Sequence, residues 1–161
     1  MADWYVENVR KFPWFVNEKF GARSFLVPFD EGVQFGVRVH VLEPGRPSTL
    51  YHRETEQEGF LVVEGECLLI VEGEERPLRQ WDYFHCAPNT AHAFVGAGDG
   101  PCVMVTLGLR SGSIVYPRND VALARGAGVE DETDTPSVAY DPFPKWEEGR
   151  PASWDELPWN R

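Results

Sequence analysis

Positive charge is scarce in this 161-residue chain. Lys and Arg number 15 against 26 Asp and Glu, a formal net charge of -11. A nucleic-acid-binding surface must replace the counterions of phosphate, and an anionic membrane surface asks for the same basic residues, so neither partner is expected. Cysteine is scarce too. Cys67, Cys86 and Cys102 are an odd number, each in an apolar, strand-like context. Buried free thiols in a reducing compartment fit this better than a disulfide framework. Long apolar runs are missing: stretches such as Phe60 to Val63 and Cys67 to Val71 fall far short of the roughly 20 residues that cross a bilayer. The N-terminus scatters charges from its third residue and lacks the basic start and apolar run of a signal peptide, so a cytoplasmic location is expected. A Ser-x-Gly elbow, a phosphate loop and a paired-cysteine zinc motif are all absent from the sequence.

What is present suits one domain with a real core. From Arg23 to about Tyr116 the pattern is short strands between turns. Phe35, Val37, Val39 and Val41 alternate with Gln34, Gly36, Arg38 and His40, and Val103, Val105, Leu107 and Leu109 alternate with smaller or polar partners. Phe60 to Val63, a Gly65-Glu66 turn, Cys67 to Val71 and a Gly73-Glu74 turn read as consecutive hairpins. Such a chain builds a sandwich or barrel. One short helix is expected, capped by Asn119, running through Val121 to Arg125 and stopped by Gly126. Residues 1–22 form an aromatic arm and residues 117–161 an acidic, proline-rich extension. The aromatics of the extension, among them Tyr140, Phe143, Trp146, Trp154 and Trp159, predict that it packs on the barrel or on a neighbouring subunit.

The chemistry sits in two places. His52 and Glu54 are two apart, so an extended chain turns both side chains to one face. Glu58 follows just before an apolar run, and His92 comes forty residues after His52, behind the turn-like Pro88-Asn89-Thr90. Imidazole and carboxylate ligands from separate strands are what a divalent first-row metal requires.

Gly45 to Gly96 resembles the two motifs of the cupin superfamily. The first runs glycine, five residues, His-x-His, three or four residues, glutamate, six residues, glycine. Glu58 and Gly65 match its last two positions, His52 falls on the first histidine, and Glu54 stands where the second belongs. The second runs glycine, five residues, Pro-x-Gly, two residues, histidine, three residues, asparagine. Trp81, Ala87, Asn89, His92 and Gly96 occupy those positions. Asn89 is a tolerable stand-in for glycine in the left-handed region, whereas nothing in the sequence explains Trp81. More narrowly, Tyr51 to Glu58 resembles the YHRE-x-x-QE signature of small bacterial cupins.

The resemblance implies an all-β fold, the double-stranded β-helix or jelly-roll barrel, over residues 23–116. It also implies one divalent ion (Zn, Fe or Mn) held by His52, Glu54, Glu58 and His92, and a homodimer. The function expected is that of a metal-dependent enzyme on a small organic molecule, of dioxygenase or isomerase/lyase type. The alternative is a non-enzymatic small-molecule-binding module. His85 is a candidate partner of a metal ligand or proton carrier in the cavity, with a hydrogen-bonded core side chain as the favoured reading, and His40 is expected at a surface or interface. Arg38 and Arg53 are candidates for an acidic ligand, with surface ion pairing as their default.

Overall fold

The computed structural model describes residues 4–161; the first three residues of the expected N-terminal arm lie outside the described part. The strands are β1 (Trp14–Asn17), β2 (Gly21–Phe25), β3 (Phe35–Leu42), β4 (Arg53–Glu54), β5 (Glu58–Glu64), β6 (Glu66–Val71), β7 (Glu74–Arg79), β8 (Tyr83–Cys86), β9 (His92–Ala97), β10 (Cys102–Leu109), β11 (Ile114–Val115) and β12 (Glu147–Glu148). One large sheet runs β12-β1-β2-β3-β10-β5-β8, and the facing layer holds β7-β6-β9 and the pair β11-β4. An isolated bridge between His52 and His92 ties that pair to β9. This is the expected all-β jelly roll. Among the described residues no helix is long and apolar enough to cross a membrane.

Two strands read as one hairpin belong to different sheets. β5 pairs with β10 and β8, while β6 pairs with β7 and β9. Gly65 between them has φ 76°, and a Cβ there would strike the Pro101 carbonyl, so only glycine turns this corner from one layer to the other. The second turn is a true hairpin: Val71 pairs with Glu74 across the two-residue loop Glu72-Gly73, both at positive φ.

The period-two pattern holds, but the apolar rows that stood out in it face away from the barrel interior. Val39, Val41 and Val103 pack under Trp14, Leu157, Trp154 and Trp159, so the terminal segments cover the outer face of β3 and β10. The inward row of β3 is Leu42, His40 and Arg38, which corrects the expectation of a surface His40: it is 2 % exposed. The inward row of β10 is Cys102, Met104, Thr106 and Gly108, while Leu107 and Leu109 are exposed. Both faces of these strands are covered along part of their length, so alternation alone leaves open which face looks inward.

The inward rows share one polarity. Leu42 to Arg38 on β3, Val62 to Glu58 on β5, and Phe94 to His92 on β9 each run from apolar to ionisable toward the same end. The apolar end is one cluster of Leu42, Val62, Cys67, Leu69, Phe94, Cys102 and Met104. The polar end is the barrel mouth.

The expected helix is present as α1 (Asp120–Ala124). The Asn119 side chain accepts from Ala122 N–H, and Gly126 stands at φ 70° after the last turn. It covers Ile70, Ala93 and Val95 on the outer face of the smaller layer. A second one-turn helix, α2 (Pro136–Ala139), corrects the expectation of a single helix; Pro136 at its first position supplies a φ already suited to it. Trp81 adopts φ 74° in the turn before β8, where its N–H bonds to Val62 O at 2.7 Å. The left-handed turn accounts for the glycine of the motif, and the exposed indole of Trp81 has no burial to offset its cost, about 1–2 kcal/mol. All three cysteines are free and buried, as expected.

Candidate metal site and barrel mouth

His52 and His92 are brought together by the backbone. His52 N–H donates to His92 O at 3.1 Å and His92 N–H donates to His52 O at 2.8 Å. This reciprocal pair sets the two side chains on one face, with ring centroids 4.8 Å apart. Each ring is then oriented by a carbonyl two residues back. His52 Nδ1 lies 2.7 Å from Leu50 O, and His92 Nδ1 lies 3.1 Å from Thr90 O. A carbonyl only accepts, so both Nδ1 atoms carry the hydrogen and both Nε2 lone pairs are free. Burial holds both imidazoles neutral, His52 at about 4 and His92 at about 3.

Glu58 enters from the opposite sheet. It sits across from Gly108 on β10, and its Oε2 lies 3.4 Å from His92 Nε2. A Cβ at Gly108 would stand 3.4 Å from the Glu58 side chain, an ordinary van der Waals contact. Desolvation, with Glu54 adding to it, pushes the Glu58 carboxyl up to about 8. One ligand atom each from His52, Glu58 and His92 lie within 4.8 Å of one another. Glu54 approaches His52 Nε2 to 3.6 Å but stands outside that group of three.

The donor set suits a divalent ion. Glu58 Oε2 is buried without a hydrogen-bond partner, and it faces an imidazole lone pair rather than an N–H. A protonated Glu58 has one hydrogen to offer one lone pair, whereas a divalent cation satisfies both imidazoles and the carboxylate together. Phe60, Phe84 and Phe94 surround the His92 ring and keep the inner side dry.

On the outer side the mouth opens into a recess of about 360 Å³, lined among others by Arg23, Arg38, His52, Glu54, Tyr116, Tyr140 and Trp146. Tyr140 and Trp146 belong to the C-terminal extension, which therefore builds one wall of the recess. Tyr140 is anchored there by Leu50 N–H, which donates to its hydroxyl at 3.1 Å. Arg23, Tyr116, Tyr140 and Trp146 were not marked as site residues by the sequence. They lie outside both motifs, and only the fold brings them to His52. Arg53 alternates away from Glu54 on β4 and does not line the recess. His85 pairs with Gly59 at the edge of the large sheet and is exposed beside Tyr83, which corrects the expected core placement. β8 is the edge strand, so nothing packs on its outer face to bury that ring.

His40 lies behind the mouth with its Nδ1 unpartnered. Burial, together with Arg38 on the same strand and Arg23 across from it, pushes the imidazole down to about 3. The unfolded chain therefore protonates first as pH falls. Stability from this group is complete above about pH 6.5 and is lost between there and about pH 3, at about 1.4 kcal/mol per pH unit. Between pH 7 and pH 5, denaturant unfolding should show the wild type losing about 2 kcal/mol more than His40→Gln. Equal losses would contradict a buried neutral His40.

The family of the cupin domain matches residues 38–108. Among solved structures, a sugar phosphate isomerase of the cupin superfamily from Silicibacter pomeroyi is 23% identical at a TM-score of 0.60, over 69% of this chain and 79% of that one. A polyketide cyclase from Streptomyces resistomycificus is 14% identical at 0.59, over 68% and 81%. A cupin 2 conserved barrel domain protein from Salinispora arenicola is 21% identical at 0.54, over 67% and 89%. No curated protein matches the sequence. The matched span begins with Arg38 on β3 and ends at Gly108 on β10, enclosing both bridged histidines, and this part of the chain is a cupin domain.

Proposed function

We propose that the protein is a metal-dependent enzyme of isomerase or lyase type, acting on a small polar organic molecule at the barrel mouth. The observation that carries this reading is the convergence of two carbonyl-locked imidazole lone pairs on the orphaned Glu58 oxygen, beside an open recess. His52, Glu58 and His92 would hold the ion, of Zn, Fe or Mn type. Such an ion supplies Lewis-acid polarisation of a carbonyl or hydroxyl oxygen.

The chain's own residues do the rest. Glu54, outside the group of three and on the wall of the recess, accepts a proton from the carbon or hydroxyl next to that oxygen. The Leu50 and Thr90 carbonyls hold the imidazoles in register. Tyr116 and Tyr140 form part of the wall of the recess. Proton transfer is favoured over dioxygen chemistry because charged side chains, Arg23, Arg38 and Lys145, line the recess and the Glu54 carboxylate adjoins the metal group. The names carried by two of the structural relatives, sugar phosphate isomerase and polyketide cyclase, are of the same kind.

The test is solvent deuterium incorporation, followed by NMR, into short-chain aldose phosphates, ketose phosphates and keto acids. Metal-loaded wild type is expected to exchange at least one of them. Glu54→Gln should keep the metal while its rate falls about 100-fold or more. A Glu54→Gln protein that loses the metal would make Glu54 a ligand instead of a base. Metal-loaded protein inert to the whole panel would leave a binding module.

A further inference from the structure

We propose that Arg23 and Arg38 form a subsite for an oxyanion, the carboxylate or phosphate of a small organic ligand, in the recess beside Glu54 and His52. The inference rests on the mouth being a substrate site and specifies the chemistry of what enters it.

The chain is strongly acidic, yet this recess is not. Arg23, Arg38 and Lys145 line it against one carboxylate, Glu54. Neither arginine has a carboxylate within 4.0 Å among the described residues, although five other ion pairs of Lys or Arg form elsewhere on the chain. Acidic partners are plentiful in this protein, and these two guanidinium groups have been left without one.

Arg23 is also held in place. Its guanidinium lies 3.8 Å from the Trp146 ring centroid and 5.0 Å from that of Phe25, while Arg38 lies 5.6 Å from the Phe25 ring. Arg23 Nε is buried with no hydrogen-bond partner. Burial, and after it the neighbouring Arg38 charge, push the Arg23 group down to about 10. A planar fork stacked on an aromatic ring is pre-organised for bidentate capture of a carboxylate or phosphate.

A role for Arg38 in balancing Glu54 alone does not account for the pair. It leaves Arg23 and its orphaned Nε unexplained, and Arg38 and Glu54 do not reach ion-pair distance. With about 30 Å³ for each water-sized group, the recess takes roughly a dozen non-hydrogen atoms. An anionic group on the arginines therefore leaves the other end of a small molecule at Glu54 and His52.

Isothermal titration tests this with inorganic phosphate and, separately, acetate, against wild type, Arg23→Met, Arg38→Met, Arg38→Lys and His92→Ala. The wild type should take up one anion per chain, and each methionine variant should weaken it about tenfold or more. Arg38→Lys, which keeps the charge and loses the fork, should fall between, and it serves if a methionine variant does not fold. The tighter of the two anions identifies the headgroup. His92→Ala should bind the anion as wild type does while losing metal, so failure of the metal reading and failure of the subsite are separable. Uptake of neither anion by wild type, uptake that survives both methionine variants, or uptake abolished by His92→Ala would overturn the proposal.

Discussion

Replacing His92 by alanine should lower divalent-metal affinity at least 100-fold and bring bound metal from about one ion per chain to a small fraction of that. Loss of a residue that merely orients a metal ligand costs 10–100-fold, and loss of a ligand itself should exceed it. The effect has a second readout. A site absent from the unfolded chain converts binding into stability, worth about 4 kcal/mol when free metal is 1,000 times its dissociation constant. A chelator should therefore lower the melting temperature of wild type by several degrees and leave His92→Ala unchanged. His92 is 1 % exposed, so the variant also loses packing among Phe60, Phe84 and Phe94. The informative comparison is thus the chelator response of each protein. An identical response in both would remove His92 from the site.

The second large effect lies far from the motifs. A chain ending at Ala139 should fail to fold. Phe20 is fully buried and rests on Tyr140, Phe143 and Trp146. Trp14, Val39, Val41 and Val103 lie under Leu157, Trp154 and Trp159. At about 1.5–3 kcal/mol for each large side chain removed from water, losing these contacts costs on the order of 10 kcal/mol, as much as the whole stability of an ordinary domain. The extension is part of the core in energetic terms, and through Tyr140 and Trp146 it is also part of the recess. A milder version is Leu157→Ala, at a fully buried position, which should cost about 2–5 kcal/mol in denaturant unfolding. Cooperative, wild-type-like unfolding of the truncated chain would show that the barrel stands without its cover.

The barrel could be read from the sequence because strand and turn signals are local. Alternation at β3 and β10, glycines at the corners and Asn119 before α1 each act within a few residues. The histidines of the candidate metal site were readable through motif spacing, since His52 and His92 are bridged to each other in the fold. What stayed hidden depends on which layer covers which face. His40 and Arg38 look inward because Trp14 and the tryptophans after residue 150 take the other side of β3, and no period-two pattern encodes that choice. The Gly65 corner likewise resembles a hairpin turn locally and differs only in the sheet it leads to. Arg23 and Trp146 are more than 120 positions apart, and only the packing of the extension joins them.

Anomalous diffraction at a metal absorption edge, from crystals grown with manganese or zinc, addresses the central claim most directly. One peak per chain is expected at about 2.0–2.2 Å from His52 Nε2, His92 Nε2 and a Glu58 oxygen. A peak bound by other residues, or full metal loading in solution with no density among those three atoms, would contradict it.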